Sequence, residues 1–159
     1  MTANDVAEIG DIIQRWIQAF CVVDADTMKT FWPRDYADIV YQSEENQHAL
    51  SSYDEIAAYW DHVPSTLESI PAVEDADVRI HLHGNDIATV YLYAMASAKF
   101  PGAERLYRAP FRACIVLRRL DGAWKFIHYH ESRVLDLQRV TDALNAGEDE
   151  VLAYGATHA

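Results

Sequence analysis

Positive charge is scarce in this sequence. Thirteen lysines and arginines stand against 25 aspartates and glutamates, leaving a formal charge of −12. A chain that acidic is repelled by phosphate backbones and anionic lipid surfaces, so neither nucleic acid nor a membrane is expected as a partner. Long apolar runs are missing too, and none approaches the roughly 18 residues that a membrane helix needs. Cysteine occurs only as Cys21 and Cys114, both in apolar stretches. The plain reading is two buried, reduced thiols, with a disulfide or a catalytic thiol as the alternative. Glycine and proline are few and fall where elements should end, and no repeat, low-complexity tract or flexible linker interrupts the chain. The opening Met1-Thr2-Ala3-Asn4-Asp5 lacks the basic start and apolar stretch of a secretory signal, so a cytoplasmic location is expected. What remains is an ordinary globular composition, half hydrophobic and 24% charged. At 159 residues it suits one domain able to bury a real core, with the core over about residues 5–135 and a helical tail over about 136–159.

Hydrophobic spacing divides the chain in two. Val6, Ile9, Ile13, Trp16, Ile17 and Phe20 recur at steps of three and four, one face of a helix, with Asp5 and Glu8 as a capping start. A second short helix fits Asp24 to Trp32, stopped by Pro33. Ile39-Val40-Tyr41 reads as a short strand. Ser52-Tyr53-Asp54-Glu55 is a capping box opening a third helix with Ile56, Trp60 and Val63 as its stripe, ended or kinked by Pro64. After about residue 72 the period falls to two: Val78, Ile80 and Leu82 alternate with Arg79, His81 and His83. Turn signals at Gly84-Asn85-Asp86, Pro101-Gly102 and Asp121-Gly122 separate long strands over about 87–100, 106–120 and 124–134. Leu137, Val140 and Leu144 suggest one more helix, and Glu148-Asp149-Glu150 a solvated acidic run. Helices first and an antiparallel meander second make an α+β protein, with the helices packed on one face of a curved sheet.

This order of elements resembles the NTF2-like superfamily, also called SnoaL-like or ketosteroid-isomerase-like. Asp24-Ala25-Asp26 before Phe31-Trp32 is similar to the acidic step between that family's first two helices, and Asp54-Glu55-Ile56 before Tyr59-Trp60 to its third-helix opening. The run from Asp121 to Ser132, DGAWKFIHYHES, is similar to its last strand, especially in the association domain of calcium/calmodulin-dependent kinase II. The resemblance implies a curved antiparallel sheet wrapped around the N-terminal helices, an apolar cone-shaped pocket between them, and a homodimer through the outer face of the sheet. It implies no single function, because the fold hosts isomerases, dehydratases, cyclases, hydrolases, oxygenase small subunits, transport factors and assembly hubs. In the kinase hub the position matching Glu131 is a pocket arginine, and Ile115 falls where it has another, so that anion pocket is not expected here. Ketosteroid isomerase carries a tyrosine on its first helix, an aspartate after its first strand and an aspartic acid on a later strand. Here those segments read Ala19-Phe20, Gln42-Ser43 and an acid-free Phe111 to Leu120, so steroid isomerisation by that route is not expected either.

Strand alternation sorts the side chains onto two faces. One set holds Val78, Ile80, Leu82, Val90, Leu92, Ala94, Ala96, Ala98, Phe111, Ala113, Ile115, Leu117, Ile127, Tyr129 and Glu131. It is apolar almost to its end, its alanines leave room, and it is assigned to the pocket. The other set mixes Arg79, His81, His83, Tyr91, Tyr93, Met95, Arg108, Arg112, Cys114, Val116, Phe126, His128 and His130, a composition suited to a dimer interface. A bulge in one of these strands would exchange part of the assignment.

Glu131 is the acid on the pocket stripe, beside Tyr129, and burial there suits a general acid or base. The plainer alternative is a carboxylate at the pocket mouth or paired with an arginine. His128 and His130 are the substitute proton-transfer candidates if they face the pocket. Trp16, Phe20, Trp32, Tyr36, Tyr41 and Trp60 either fill the core or line a cavity for a small apolar or cyclic molecule. His81-x-His83 and His128-x-His130 put imidazole pairs on single strand faces, but the meander sets these strands three apart. At about 4.8 Å per strand that is roughly 14 Å, too far for one ion with ligands near 2.1 Å, so no metal is expected; no cofactor is expected either. Two readings stand: a cofactor-independent isomerase, cyclase, dehydratase or hydrolase acting through Glu131 and Tyr129, or a non-catalytic ligand-binding or oligomerisation module. An accessory subunit of an oxygenase is a third.

Overall fold

The structure is a computed structural model that describes residues 3–134 and 137–146. Helix α1 (Ala3–Cys21) is followed by α2 (Ala25–Thr30), strand β1 (Val40–Gln42), α3 (Tyr53–His62), and four long strands: β2 (Ser69–His83), β3 (Ile87–Lys99), β4 (Tyr107–Leu120) and β5 (Ala123–Arg133). A last helix, α4, spans Leu137–Ala146, on the segment where Leu137, Val140 and Leu144 recur. The acidic run Glu148-Asp149-Glu150 lies outside the described residues. None of the described helices is long and apolar enough to cross a membrane.

Local chemistry sets the helix ends. Asp24 caps α2 by accepting from Thr27 N. Ser52 and Glu55 complete the expected capping box of α3, and a 3-10 turn over Val63–Ser65 takes up Pro64. Helix α1 starts two residues before Asp5, so Asp5 is not its cap. Its carboxylate lies in the first turn and pairs with Arg119 from β4, a placement the positive end of the helix dipole also favours.

The sheet order is β1-β5-β4-β3-β2, antiparallel throughout its long strands. The link from β4 to β5 is a two-residue turn, Leu120 opposite Ala123, with both Asp121 and Gly122 at positive φ. This left-handed pair matches the strand twist and explains why glycine stands at the second position. β1 joins the far edge in parallel, placing Val40, Tyr41 and Gln42 opposite His128, Tyr129 and His130.

Inner and outer faces follow the alternation along most of their length. Val90, Leu92, Ala113, Ile115 and Leu117 are buried in one cluster with Ile9, Ile13 and Trp16 of α1 and Ile56 and Trp60 of α3, and Ala94 is buried as well. Truncating such a side chain, for example Leu92→Ala, typically costs about 2–5 kcal/mol. Two places depart from strict alternation. β5 has a register shift against β4: Val116 faces His128 while Leu117 faces Phe126, so Ile127 is the extra residue. Phe126 and Trp124 therefore turn inward and are buried, whereas Ile127, placed on the pocket stripe by simple alternation, is only half-buried. One extra residue changes which face every preceding side chain meets. On β3 the pattern stops beyond Ala94: Ala96 and Ala98 are half-buried and Ser97 is buried, alongside register shifts in β2 between Ser69 and Ala72 and between Glu74 and Asp77, the second spanning Asp75, whose φ is +54°.

Candidate functional site

The end of the inner face where β1 meets β5 is polar. Tyr129 is buried and follows the apolar stripe, and Glu131 stands two residues on, half-buried. The Tyr129 hydroxyl donates to Glu131 Oε2 at 2.5 Å. Glu131 Oε1 accepts from the backbone N–H of Glu44 at 3.1 Å. The parallel pairing of β1 brings this second donor in, because residue 44 leaves the strand just past the register position of Glu131. Across β4, Ala113 faces Glu131 with the smallest side chain that keeps a strand face apolar.

The segment after β1 closes over this corner. Gln42 Nε2 donates to the Ser43 carbonyl at 2.9 Å and to the Asn46 carbonyl at 2.5 Å. Tyr59 of α3 donates its hydroxyl to Glu45, and Arg133 of β5 donates to Glu44. Tyr41 stacks on Tyr129, centroids 5.0 Å apart at 12°, and also meets Tyr59 at 5.0 Å. The corner therefore combines three tyrosines with the carboxylates of Glu131, Glu45 and Glu44.

Electrostatics follow from this crowding. Burial chiefly raises the Glu131 carboxyl, and the nearby charges of Glu45 and Glu44 add to it. The Tyr129 and Glu44 N–H hydrogen bonds pull the other way, and the balance is a pKa of about 7. Burial, followed by neighbouring negative charge, holds Tyr129 and Tyr59 well above the ordinary phenol value, so both remain protonated donors. Tyr41 is raised too, by burial first. A carboxyl that titrates near neutrality beside a phenol that does not is able both to take up and to release a proton.

The other expected site residues divide. Trp16, Phe20, Tyr41 and Trp60 join the Tyr129 cluster, with Trp16 at 5.6 Å from Tyr129, Phe20 stacked on Trp16 at 5.3 Å, and Trp60 edge-on to Tyr41. Trp32 reaches the cluster through Tyr41 and Phe126. Tyr36 does not: its hydroxyl accepts from Arg118 at 2.7 Å near the opposite end of β4. His128 and His130 face outward with Val116 and Cys114, opposite Tyr129 and Glu131. Burial, and then the charge of His130, lowers the His128 pKa. Both cysteines are free and half-buried, and burial raises the Cys21 thiol, which makes it a poor nucleophile. Among the described residues no group of three His, Cys, Asp or Glu side chains is placed to hold a metal ion. Among the described residues, one open surface cleft lies beside Arg15 and Trp124 and another beside Arg34 and Tyr53; neither is lined by Tyr129 or Glu131.

Ser43, Glu44, Glu45 and Tyr59 are the site residues that sequence spacing does not single out. The polar run Ser43-Glu44-Glu45-Asn46 is visible in the chain, but only the parallel register of a three-residue strand brings it over Glu131.

Comparison with known proteins decides the family. The profile of the SnoaL-like domain matches residues 9–136. The chain belongs to the SnoaL-like domain family. Solved NTF2-like structures share its fold. One is a protein of the NTF2-like family from Streptomyces avermitilis named as a dehydratase, with 21% identity, TM-score 0.72, and 85% of this chain and 100% of that one covered. Another is a ketosteroid isomerase-like protein from Erwinia carotovora atroseptica, with 17% identity, TM-score 0.71, and 85% and 100% covered. A nuclear transport factor 2-like superfamily protein from Salmonella enterica follows at 16% identity and TM-score 0.69, with 82% and 91% covered. Comparison with curated proteins finds no match. At these identities the likeness describes the SnoaL-like fold and leaves the chemistry to the site itself.

Proposed function

We propose that this SnoaL-like protein is a cofactor-independent enzyme that uses Glu131 as its proton-transfer group on a small, mostly apolar molecule. The observation that carries the reading is the Glu131 carboxyl: it ends an apolar stripe, is held by Tyr129 and the Glu44 N–H, and titrates at about 7. Its ionised form takes a proton from a carbon or oxygen acid of the substrate. Its protonated form returns that proton to another atom of the substrate or to a leaving hydroxyl. Tyr129 keeps its own proton and orients the carboxyl through the two-residue step that puts both on one face. This cycle fits an isomerase, cyclase, dehydratase or hydrolase, and solved relatives named as a dehydratase and as isomerase-like support that range.

The test is turnover of a panel of small enones and β-hydroxy ketones by wild type and Glu131→Gln, with the fold checked by circular dichroism. An acid–base role entails a loss of about 10²–10⁴-fold in the folded mutant. Equal turnover by the two proteins refutes it. One observation favours a second reading. Trp16, Phe20, Tyr41, Trp60 and Tyr129 pack ring against ring, which suits a non-catalytic binding or assembly module whose cone is filled by its own side chains. Native mass spectrometry of the purified protein separates the two, since a co-purified small molecule requires an accessible cone.

A further inference from the structure

Charge is unevenly placed on this protein. The chain has a formal charge of −12, yet the cleft beside Arg34 and Tyr53 is lined by three cations, Lys29, Arg34 and Lys125, and by one acid, Asp26. Its volume is about 670 Å³, within the range of about 300–1,000 Å³ usual for small-molecule sites.

Three separate elements build the cleft. The segment after α2 supplies Pro33 and Arg34, α3 supplies Tyr53 and Ala57, and β5 supplies Lys125. A backbone bond from Phe126 N to Phe31 O, 2.9 Å long, ties β5 to the end of α2. It sets Lys125 beside that end, where its Nζ donates to the Thr30 carbonyl at 2.7 Å. The Arg34 guanidinium lies over the Tyr53 ring, 4.8 Å from the centroid.

The cations differ in what they have left to give. Lys29 is engaged by Asp61 at 2.6 Å and by Asp26, the acid of the cleft, at 2.9 Å. Arg34 and Lys125 make no ion pair with a carboxylate among the described residues. Arg34 is exposed and Lys125 half-buried. Stacking on Tyr53 uses the face of the guanidinium and leaves its rim of N–H donors open, a geometry that takes two oxygens of an oxyanion at once. An ammonium has three donors, and the Thr30 carbonyl takes one of them. Salt screens the acids elsewhere on the surface over a Debye length of about 8 Å, so a group seated in the cleft meets these two cations first.

We propose that this cleft is a second binding site, for a phosphate monoester of a small organic molecule. Near neutral pH such a group carries a charge of about −1.5 to −2 and three strong acceptor oxygens, which matches two open cations and their donors. A carboxylate balances only one of them. The organic body lies against Tyr53, Pro33 and Ala57, the aromatic and apolar wall of the cleft. The site is separate from proton transfer at Glu131, which does not line it.

The experiment titrates the full chain with phenyl phosphate near neutral pH, followed by calorimetry and by amide chemical shifts. Binding is expected at one site, with shifts centred on residues 29–34, 53–57 and 125. Benzoate lacks the second charge and inorganic phosphate lacks the ring, and each is expected to bind at least about tenfold more weakly. Arg34→Ala and Lys125→Gln are each expected to weaken phenyl phosphate by about tenfold or more. Arg34→Lys keeps the charge without the planar fork and is expected to fall between wild type and Arg34→Ala. Arg105→Gln, which removes an exposed cation outside the cleft, should leave binding unchanged. Arg34 is exposed, so Arg34→Ala is expected to melt with wild type, and its binding is read on a folded protein. No binding of phenyl phosphate, benzoate or inorganic phosphate binding as tightly, or binding untouched by Arg34→Ala each overturns the proposal. Shifts centred on Tyr129 and Glu131 do so as well, by placing the probe in the cone.

Discussion

Replacing Glu131 by glutamine separates a desolvated carboxyl from a structural ion pair by the sign of a stability change. In the fold Glu131 titrates at about 7, against the ordinary glutamate value of 4.5 in an unfolded chain. Between those values the folded state keeps a proton that the unfolded state has released, so stability falls as pH rises through the window. At about 1.36 kcal/mol per unit, ionised Glu131 costs the fold about 3 kcal/mol above pH 8. Glutamine carries no charge at any pH and fits the same space. Its carbonyl accepts from the Glu44 N–H, and its amide donates to the Tyr129 hydroxyl, which turns to accept. For a domain of this size about 2–4 °C of melting temperature corresponds to 1 kcal/mol. Glu131→Gln is therefore expected to melt about 6–12 °C above wild type near pH 8.5, and close to wild type near pH 4.5, where the wild-type carboxyl is protonated. The assay is a pair of thermal melts by circular dichroism at the two pH values. Acidic groups that do not interact with Glu131 are common to both proteins and cancel in the difference, whereas Glu44 and Glu45 are relieved of its charge in the mutant, a change of the same sign. A mutant that melts below wild type near pH 8.5 refutes the reasoning, because it means that the ionised carboxylate stabilises the fold.

Tyr129→Phe removes the hydrogen bond that lowers the Glu131 pKa, so that carboxyl is expected to titrate higher than about 7, read by side-chain NMR. The mutant should also lose about 1.5–3 kcal/mol at a pH where Glu131 is ionised. Ser52→Ala removes half of the capping box of α3 and is expected to cost about 1 kcal/mol in a denaturant titration, with no effect on the Glu131 titration. The outer sheet face leaves Tyr91 38% exposed beside half-buried Tyr93 and Met95, and we propose that a second copy covers it. Light scattering at micromolar concentration is expected to give twice the 18.0 kDa chain mass, and a species of 18.0 kDa alone contradicts this.

The helices and the meander are legible in the sequence because their signals are local. The Ser52–Glu55 capping box, the Asp121-Gly122 turn and the period change from three-and-four to two each sit within a few residues. Tyr129 and Glu131 are legible for the same reason, two positions apart on one strand. Phe126 is not, since the extra residue at Ile127 reverses the face of everything before it, and a bulge leaves no mark in spacing. The Glu44 N–H, Ser43, and the Tyr59–Glu45 pair depend on long-range register, the three-residue β1 lying parallel to β5. Periodicity within a segment carries no information about which distant segment it will meet.

Direct titration of the Glu131 side-chain carboxyl by carbon-13 NMR tests the central claim, that the fold holds a proton-transfer group poised near neutrality. The expected result is a midpoint near 7, well above the 4.5 of an unperturbed glutamate. A midpoint at or below 4.5 contradicts the account.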